Sequence, residues 1–415
     1  MVTSIRRRAA IAAVLGVLVV SGCSSGGEAA PAKTPADTLT QAPIVVGTIC
    51  GCSGVSAPTH GRVDDVAQAW ASSVNDSGGI DGHPVKVIVK DIGQEPSKAL
   101  GAVKSLVEEE GAIAIVGAIT GTTGSWRQYV EEKGVPVLGG VPSDPTFLAS
   151  DMFFQGGSPN PVITYGLVKL AKDKGTTKFG VVYCSESPVC ADSDSLAQRS
   201  AADLGVGYVS AKVAAAAPNY TAICQTMKSE GVDGLFLAHI TSVDVRIAED
   251  CHKIGYEPQF YSSAGAVGNE YLESDAVEGL LFTQSNAPYY DPSVPVVGAA
   301  RETIDSYFPG LTESAQFSAV AFDTWISGKM FEVAAAHAGL TSDSTSADLL
   351  RGLRTIENET LDGLAPPLNF TEIGAYPTCY YTGEVTVREM VPGNAAEAVC
   401  LDEKDLTSTV FTSAS

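Results

Sequence analysis

Threonine and serine hydroxyls gather where two apolar runs end, in residues 112–143, AIAIVGAITGTTGSWRQYVEEKGVPVLGGVPS. The run 112–119 stops at Thr120, Gly121, Thr122, Thr123 and Gly124. The run 135–138 leads through Gly139, Gly140 and Val141 to Ser143. Hydroxyls and backbone N–H groups at a helix start suit an oxygen-rich anion; the same hydroxyls could equally cap the helix that follows. Elsewhere the candidates are scattered. His239 ends an apolar run, where a ligand contact and a core or capping histidine are both open. His60 and Arg62 sit in the first loop and either reach an anion or face solvent. Tyr289 and Phe317 offer rings to stack on a ligand or to pack a core, and Asn269 shapes a turn. No nucleophile elbow, metalloprotease motif or complete dinucleotide fingerprint is present, and GAITGTTG lacks the lysine of a phosphate loop. We therefore expect no enzyme activity and no cofactor.

The hydroxyls need a scaffold, and periodicity supplies one. Eight nearly uniform apolar residues at 112–119 read as a strand buried on both faces. A helix to about Lys133, ended by Gly134, and a second strand complete a β-α-β unit. Upstream come a strand at 43–49, a helix at 62–75 with Val63, Val66, Ala67, Trp70 and Val74 at helical spacing, a strand at 85–89 and a helix at 97–109. A second round follows: strands at 179–183, 207–213, 234–239 and 259–262 alternate with helices at 161–173, 193–204, 220–230 and 243–254. A strand at 279–283 crosses back, 316–336 is the longest helix pattern, a third crossing falls near 366–370, and strands around Tyr380 and Val385 close the chain. The alternation means parallel sheets with helices on both faces, and ligands of such sheets bind outside the strands' carboxyl ends.

A chain of 415 residues with 45% apolar composition is long enough for two globular units plus tails. The net charge is -22; setting aside Arg6, Arg7 and Arg8, which lie in a leader, leaves 23 bases against 48 acids, or -25. Such a surface repels nucleic acid and anionic lipid, so no nucleic-acid partner is expected. The leader has a basic start, MVTSIRRR, and an apolar segment too short to span comfortably. It ends in VSGC, which resembles a bacterial lipobox; the resemblance implies cleavage before Cys23 and a diacylglycerol on its sulfur. Residues 24–42, small, polar and proline-bearing, read as a flexible tether.

Beyond Cys23, eight cysteines remain: Cys50, Cys52, Cys184, Cys190, Cys224, Cys251, Cys379 and Cys400. An even count in an exported chain suggests disulfides, with roughly a hundred pairings possible. Nearest-neighbour pairing is the simplest, although Cys50 and Cys52 would close a tight ring. A zinc site is not expected: no CxxC occurs and the five histidines are scattered.

The order GTICG…VNDSGGIDGHPVKVIVKD…IVGAITG…KGVPVLGG…P…F, over residues 43–405, resembles type I periplasmic solute-binding proteins. The nearest subgroup is the leucine/isoleucine/valine-binding one, whose members serve ABC importers. The resemblance implies two Rossmann-like, doubly wound α/β lobes joined by three hinge crossings, with a first lobe of 43–158 plus 284–365 and a second of 159–283 plus 366–408. It implies a monomer that clamps a small-molecule solute, meets permease subunits, and sits lipid-anchored on the outer face of the cytoplasmic membrane. Carried over singly, the family's hydroxyl-rich turn falls on Thr120, Gly121 and Thr122, with glycine at 121 where the family places serine. The next contact falls on Ser143, beside Val141. The family's amino-acid binders hold the ammonium with a carboxylate before a G-V-G-N-like turn; here the stretch is AGAVGNE, with Gly265 in the acid's place. The tyrosines expected after Tyr183 and Leu237 are replaced near 187–188 and 239–241. Since a buried ammonium without a counter-charge costs several kcal/mol, the expected ligand is one without it, an organic acid or an aromatic compound. A sensory subunit and a true branched-chain amino-acid binder are the alternatives.

Overall fold

The computed structural model describes residues 39–412 apart from Ser187, so the leader, Cys23 and most of the expected tether lie outside the described residues. Two sheets carry the chain. The first contains β1 (Ile44–Cys50), β2 (Val85–Asp91), β3 (Ile115–Ile119), β4 (Val137–Gly140) and β5 (Phe153–Phe154), all parallel, in the order β2-β1-β3-β4-β5. The second contains β6 (Lys178–Cys184), β7 (Gly207–Val213), β8 (Gly234–Ala238), β9 (Gln259–Ser263) and β10 (Leu281–Gln284), parallel in the order β7-β6-β8-β9-β10. It is extended by the antiparallel β11 (Cys379–Thr386) and β12 (Glu389–Pro392), with β13 (Val399–Cys400) also on β11. This is the two-lobe α/β architecture that the alternation implied.

The uniformly apolar strands are central. All five residues of β3 are buried, because helices cover both faces of the first sheet. On one face lie Val103, Leu106, Trp126, Val130 and Phe147. On the other, the helix Val63–Asp76 and the helix Ala319–Ala338 bring Val66, Trp70, Phe322 and Ile326 against Val46, Val116 and Leu138. Each such aliphatic side chain contributes about 1.5–3 kcal/mol through burial. The helix Ala319–Ala338 begins where Ser318 Oγ accepts from Ala321 N at 3.2 Å and ends at Gly339. It is apolar nearly all round because it sits between the sheet and other helices. Its Gly328 touches the Trp70 ring so closely that a Cβ would lie 2.4 Å from it. The helix Arg127–Lys133 ends as the sequence indicates, at Gly134 with φ 66°, the left-handed closure that glycine adopts without penalty.

Several expectations need adjustment. The strand placed at 112–119 begins only at Ile115, since Ala112 N bonds back to Leu106 O and so still belongs to the preceding turn. The third crossing expected near 366–370 is irregular, with only a bridge between Glu359 and Leu368. Tyr380 and Val385 share one strand instead of two. The helices Pro295–Tyr307 and Ser346–Leu353 were not anticipated.

All four nearest-neighbour disulfides are present: Cys50–Cys52, Cys184–Cys190, Cys224–Cys251 and Cys379–Cys400. Cys224–Cys251 joins the helices Thr221–Ser229 and Thr241–Lys253. Cys379–Cys400 staples a directly paired position of β11 and β13.

Three segments cross between the sheets. The first, after β5, and the second, after β10, run side by side: Ser158 N donates to Ser285 O at 3.2 Å, and Ser285 Oγ donates to Ser158 O at 2.7 Å. The third is tied to the second by Ala287 N donating to Leu364 O at 3.0 Å, and to the first by Ser158 Oγ donating to Cys379 O.

Candidate functional site

The carboxyl ends of the strands in both sheets open on one cleft, a cavity of about 310 Å³ with polar and apolar walls. The first-sheet wall follows directly from strand ends. After β3 the chain turns through Thr120, Gly121 and Thr122; after β4 it passes Val141 and reaches Ser143. Gly121, Thr122, Val141 and Ser143 line the cleft. Thr120 does not: it is fully buried one layer behind. Its Oγ1 donates to Gln94 Oε1 at 3.0 Å and accepts from Thr122 N at 3.2 Å, and lies 2.9 Å from Thr122 Oγ1. Thr123 is spent on structure, donating to Asp144 Oδ2 and lying 2.8 Å from Thr146 Oγ1. Burial pushes the Asp144 carboxyl up, against the hydrogen bonds from Thr123 and Thr146 that favour its charge.

The second-sheet wall carries His239, at the end of β8, and Gly265, just beyond β9. The two walls come close here: a Cβ added to Gly265 would lie 3.9 Å from Ser143 Oγ. His239 Nδ1 accepts from Ile240 N at 2.9 Å, which fixes the ring proton on Nε2. That nitrogen is buried and lies 3.5 Å from Glu186 Oε2. Burial holds the imidazole below its usual range, partly offset by the Glu186 charge. Burial works against the charge of Glu186, but the Ala215 N–H at 2.7 Å, other backbone donors and His239 outweigh it and keep the carboxyl below its usual range. Cys184, Glu186 and His239 converge closely enough to suggest metal ligands, but the Cys184 sulfur is bound to Cys190 and offers no thiolate.

The remaining expected residues fall elsewhere. Tyr289 and Phe317 do not line the cleft. Both are fully buried as core, packed edge-to-face at 5.7 Å within an aromatic cluster that includes Phe322 and the partly buried Tyr290. The exit from β10 and the entry to the helix Ala319–Ala338 meet there, apart from the cleft lining. Asn269 shapes its turn, donating to Thr312 O and Ser314 O at 3.0 and 3.1 Å. Arg62 turns to Asp65 at 3.1 Å. His60 is not a solvated surface group: it is buried and lines the cleft, and burial drives its pKa down to about 4 against a hydrogen bond to the Gly51 backbone.

Several lining residues went unmarked in the sequence, among them three with side chains able to bind a solute. Gln94 follows β2, Glu186 follows β6, and Asn160 opens the helix Asn160–Asp173, donating to Ser193 Oγ at 2.9 Å. Glu186 alone had a signal: it lies one residue before the position where the family's tyrosine was sought, at the carboxyl end of a parallel strand.

With this geometry in hand, comparison with known proteins is direct. A periplasmic binding protein family model matches residues 43–389. The chain belongs to the periplasmic binding protein family. Membership places it outside the cytoplasm; among the described residues no helix is long and apolar enough to cross a membrane. No curated protein matches the chain. Among solved structures, it is similar to a fatty acid ABC transporter substrate-binding protein from Thermomonospora curvata, with 20% identity and TM-score 0.76 over 91% of this chain and 98% of that one. It is also similar to a branched chain amino acid ABC transporter from Thermus thermophilus with bound valine, with 15% identity and TM-score 0.79 over 88% and 98%. A solute binding protein of an ABC transporter from R. palustris, in complex with benzoate, has 16% identity and TM-score 0.71 over 87% and 98%. At these identities the likeness is one of fold.

Proposed function

We propose that this periplasmic binding protein is the solute-binding component of an ABC importer. It works as a monomer held at the outer face of the cytoplasmic membrane by lipid on Cys23, and delivers a small organic solute to permease subunits. The observation that carries the reading is the cavity of about 310 Å³ walled by strand ends of both sheets. A cavity shared by two hinged bodies lets a solute shift the population towards closure through its tighter contacts with the closed form. We assign 43–158 with 284–365 to the first lobe and 159–283 with 366–408 to the second. The solute contacts are assigned to Gly121, Thr122, Val141 and Ser143 on the first and to His239 and Gly265 on the second, with Thr120 as a brace.

The solute in this reading has an apolar body and lacks an ammonium group, as an aromatic compound or a small organic acid does. Val141, Ile163, Phe236 and Ile240 supply the apolar wall, and Gly265 supplies no carboxylate. The benzoate-bound relative shows that the fold accommodates such a molecule. A second reading, a branched-chain amino acid, is favoured by one observation: the Glu186 carboxylate reaches the same cavity. Titration calorimetry against aromatic acids, amides, valine and leucine tests both. A micromolar dissociation constant for leucine overturns the ammonium-free reading. Thr122→Ala and Ser143→Ala should each weaken the solute that binds, by about ten-fold. Uptake of that solute that persists in a deletion strain would point instead to a sensory subunit, and turnover of it to an enzyme.

A further inference from the structure

Gln94 stands out on four counts that are independent of one another. It lines the cleft. Its backbone has φ 63°, a left-handed conformation that a residue other than glycine rarely adopts and that persists only where surroundings impose it. Its side chain makes three hydrogen bonds to two other segments: Oε1 accepts from Thr120 Oγ1 and from Gly121 N, each at 3.0 Å, and Nε2 donates to His60 Nδ1 at 3.1 Å. Its side chain also lies against Gly51, where a Cβ would meet Nε2 at 2.5 Å and Cγ at 2.6 Å.

The orientation of this amide is determined by its partners. Gly121 N–H is a donor only, so Oε1 must face it. Nε2 therefore faces His60, and a donor on that side requires an unprotonated Nδ1. On the other side, Thr120 has one proton, and it goes to Gln94 Oε1. The contact between the hydroxyls of Thr120 and Thr122 is then filled by the Thr122 proton, leaving the Thr122 oxygen to present lone pairs to the cleft.

We propose that Gln94 is the positioning residue of the first wall: one amide holds the Thr120–Gly121–Thr122 turn and the His60 ring in a single donor–acceptor arrangement, so that this wall meets the solute with Thr122 lone pairs and an uncharged imidazole. The solute group that docks on Thr122 is accordingly an O–H or N–H donor. This deepens the solute-binding reading and rests on it.

The test uses ligand-free full-length protein, so a failure to find any solute would count against the transport reading and leave this one to be decided separately. Gln94→Glu keeps an acceptor for Gly121 N–H but replaces the donor facing His60 by a carboxylate, which favours the imidazolium. Nitrogen-15 NMR of the His60 ring should then show its titration midpoint rise from about 4 in the native protein to above the ordinary histidine value of about 6.5. Gln94→Gly relieves the backbone and removes all three bonds. Its melting temperature should hold or rise, while amide exchange at Gly121 and Thr122 quickens by about ten-fold or more. Gln94→Asn, too short to reach its partners and at ease in the left-handed region, should quicken exchange in the same way. A His60 midpoint unchanged in Gln94→Glu, or unchanged exchange at Gly121 in both shorter variants, overturns the proposal. A merely structural glutamine would lower the melting temperature in every variant without moving the His60 titration.

Discussion

His239 Nε2 and Glu186 Oε2 face each other 3.5 Å apart on the second wall of the cleft, a buried imidazole held neutral beside an ionised carboxylate. Among the described residues Glu186 is the one acidic side chain lining this cavity, and no lysine or arginine lines it. The cavity therefore carries negative charge with no fixed cation to oppose it.

Glu186→Gln separates the two classes of solute. If an ammonium docks on the carboxylate, the substitution removes a charged hydrogen bond and should weaken valine binding by roughly ten- to a hundred-fold. If the solute has no ammonium, affinity should stay within about two-fold. Titration calorimetry on both proteins reads the difference.

Asp323 ties part of the stability to pH. It is buried in the helix Ala319–Ala338, accepts from Asn286 Nδ2 at 2.8 Å, and has a second oxygen without a partner. Burial, opposed by the Asn286 bond, raises its pKa from 3.8 to about 7. Between those values the folded chain keeps a proton that the unfolded chain has released. Stability therefore falls as pH rises from about 4 to 7, by up to about 4 kcal/mol, and this contribution is flat above. Asp323→Asn should abolish that fall. The check is the difference between the two proteins in urea denaturation at pH 5 and pH 8.

Removing the Cys224–Cys251 bridge should destabilise the second lobe. The cysteines are 27 residues apart and both are fully buried. In the chain-entropy account a loop of that length contributes about 3.5 kcal/mol. The double alanine variant should lose about that much in chemical denaturation, with solute affinity unchanged at a temperature where it remains folded.

Gly328→Ala tests the contact between the helix Ala319–Ala338 and the helix Val63–Asp76. The added methyl would sit 2.4 Å from the Trp70 ring, which is itself fixed by Nε1 donating to Glu332 Oε1 at 2.9 Å. Neither partner has room to yield, so overpacking should cost about 1–3 kcal/mol. A lowered melting temperature and an altered Trp70 fluorescence are the expected readouts.

The sheets were legible because central parallel strands are apolar on both faces: runs such as 112–119 and 234–239 leave little other reading. The cleft was legible only where it coincides with a strand end, as at Thr122, Ser143 and His239. Tyr289 and Phe317 were misplaced because an aromatic side chain leaves the same trace in a sequence whether it faces a solute or other rings. Gln94 was invisible since its role depends on three partners 26, 27 and 34 residues away. The helix Pro295–Tyr307 was missed among turn-forming prolines and glycines, and Thr120 could not be told from Thr122 because the two differ only in which layer they occupy.

The reciprocal bonds between Ser158 and Ser285 have a mechanical consequence. Two small residues on adjacent crossing segments, each bonded to the other's backbone, resist sliding but permit twisting, as an axle does. Points close to an axle barely travel when the bodies turn, and displacement grows with radius. A modest twist at the serines is thereby geared into a wide swing at the rim, and the solute's grip out there needs only weak bonds to steer it.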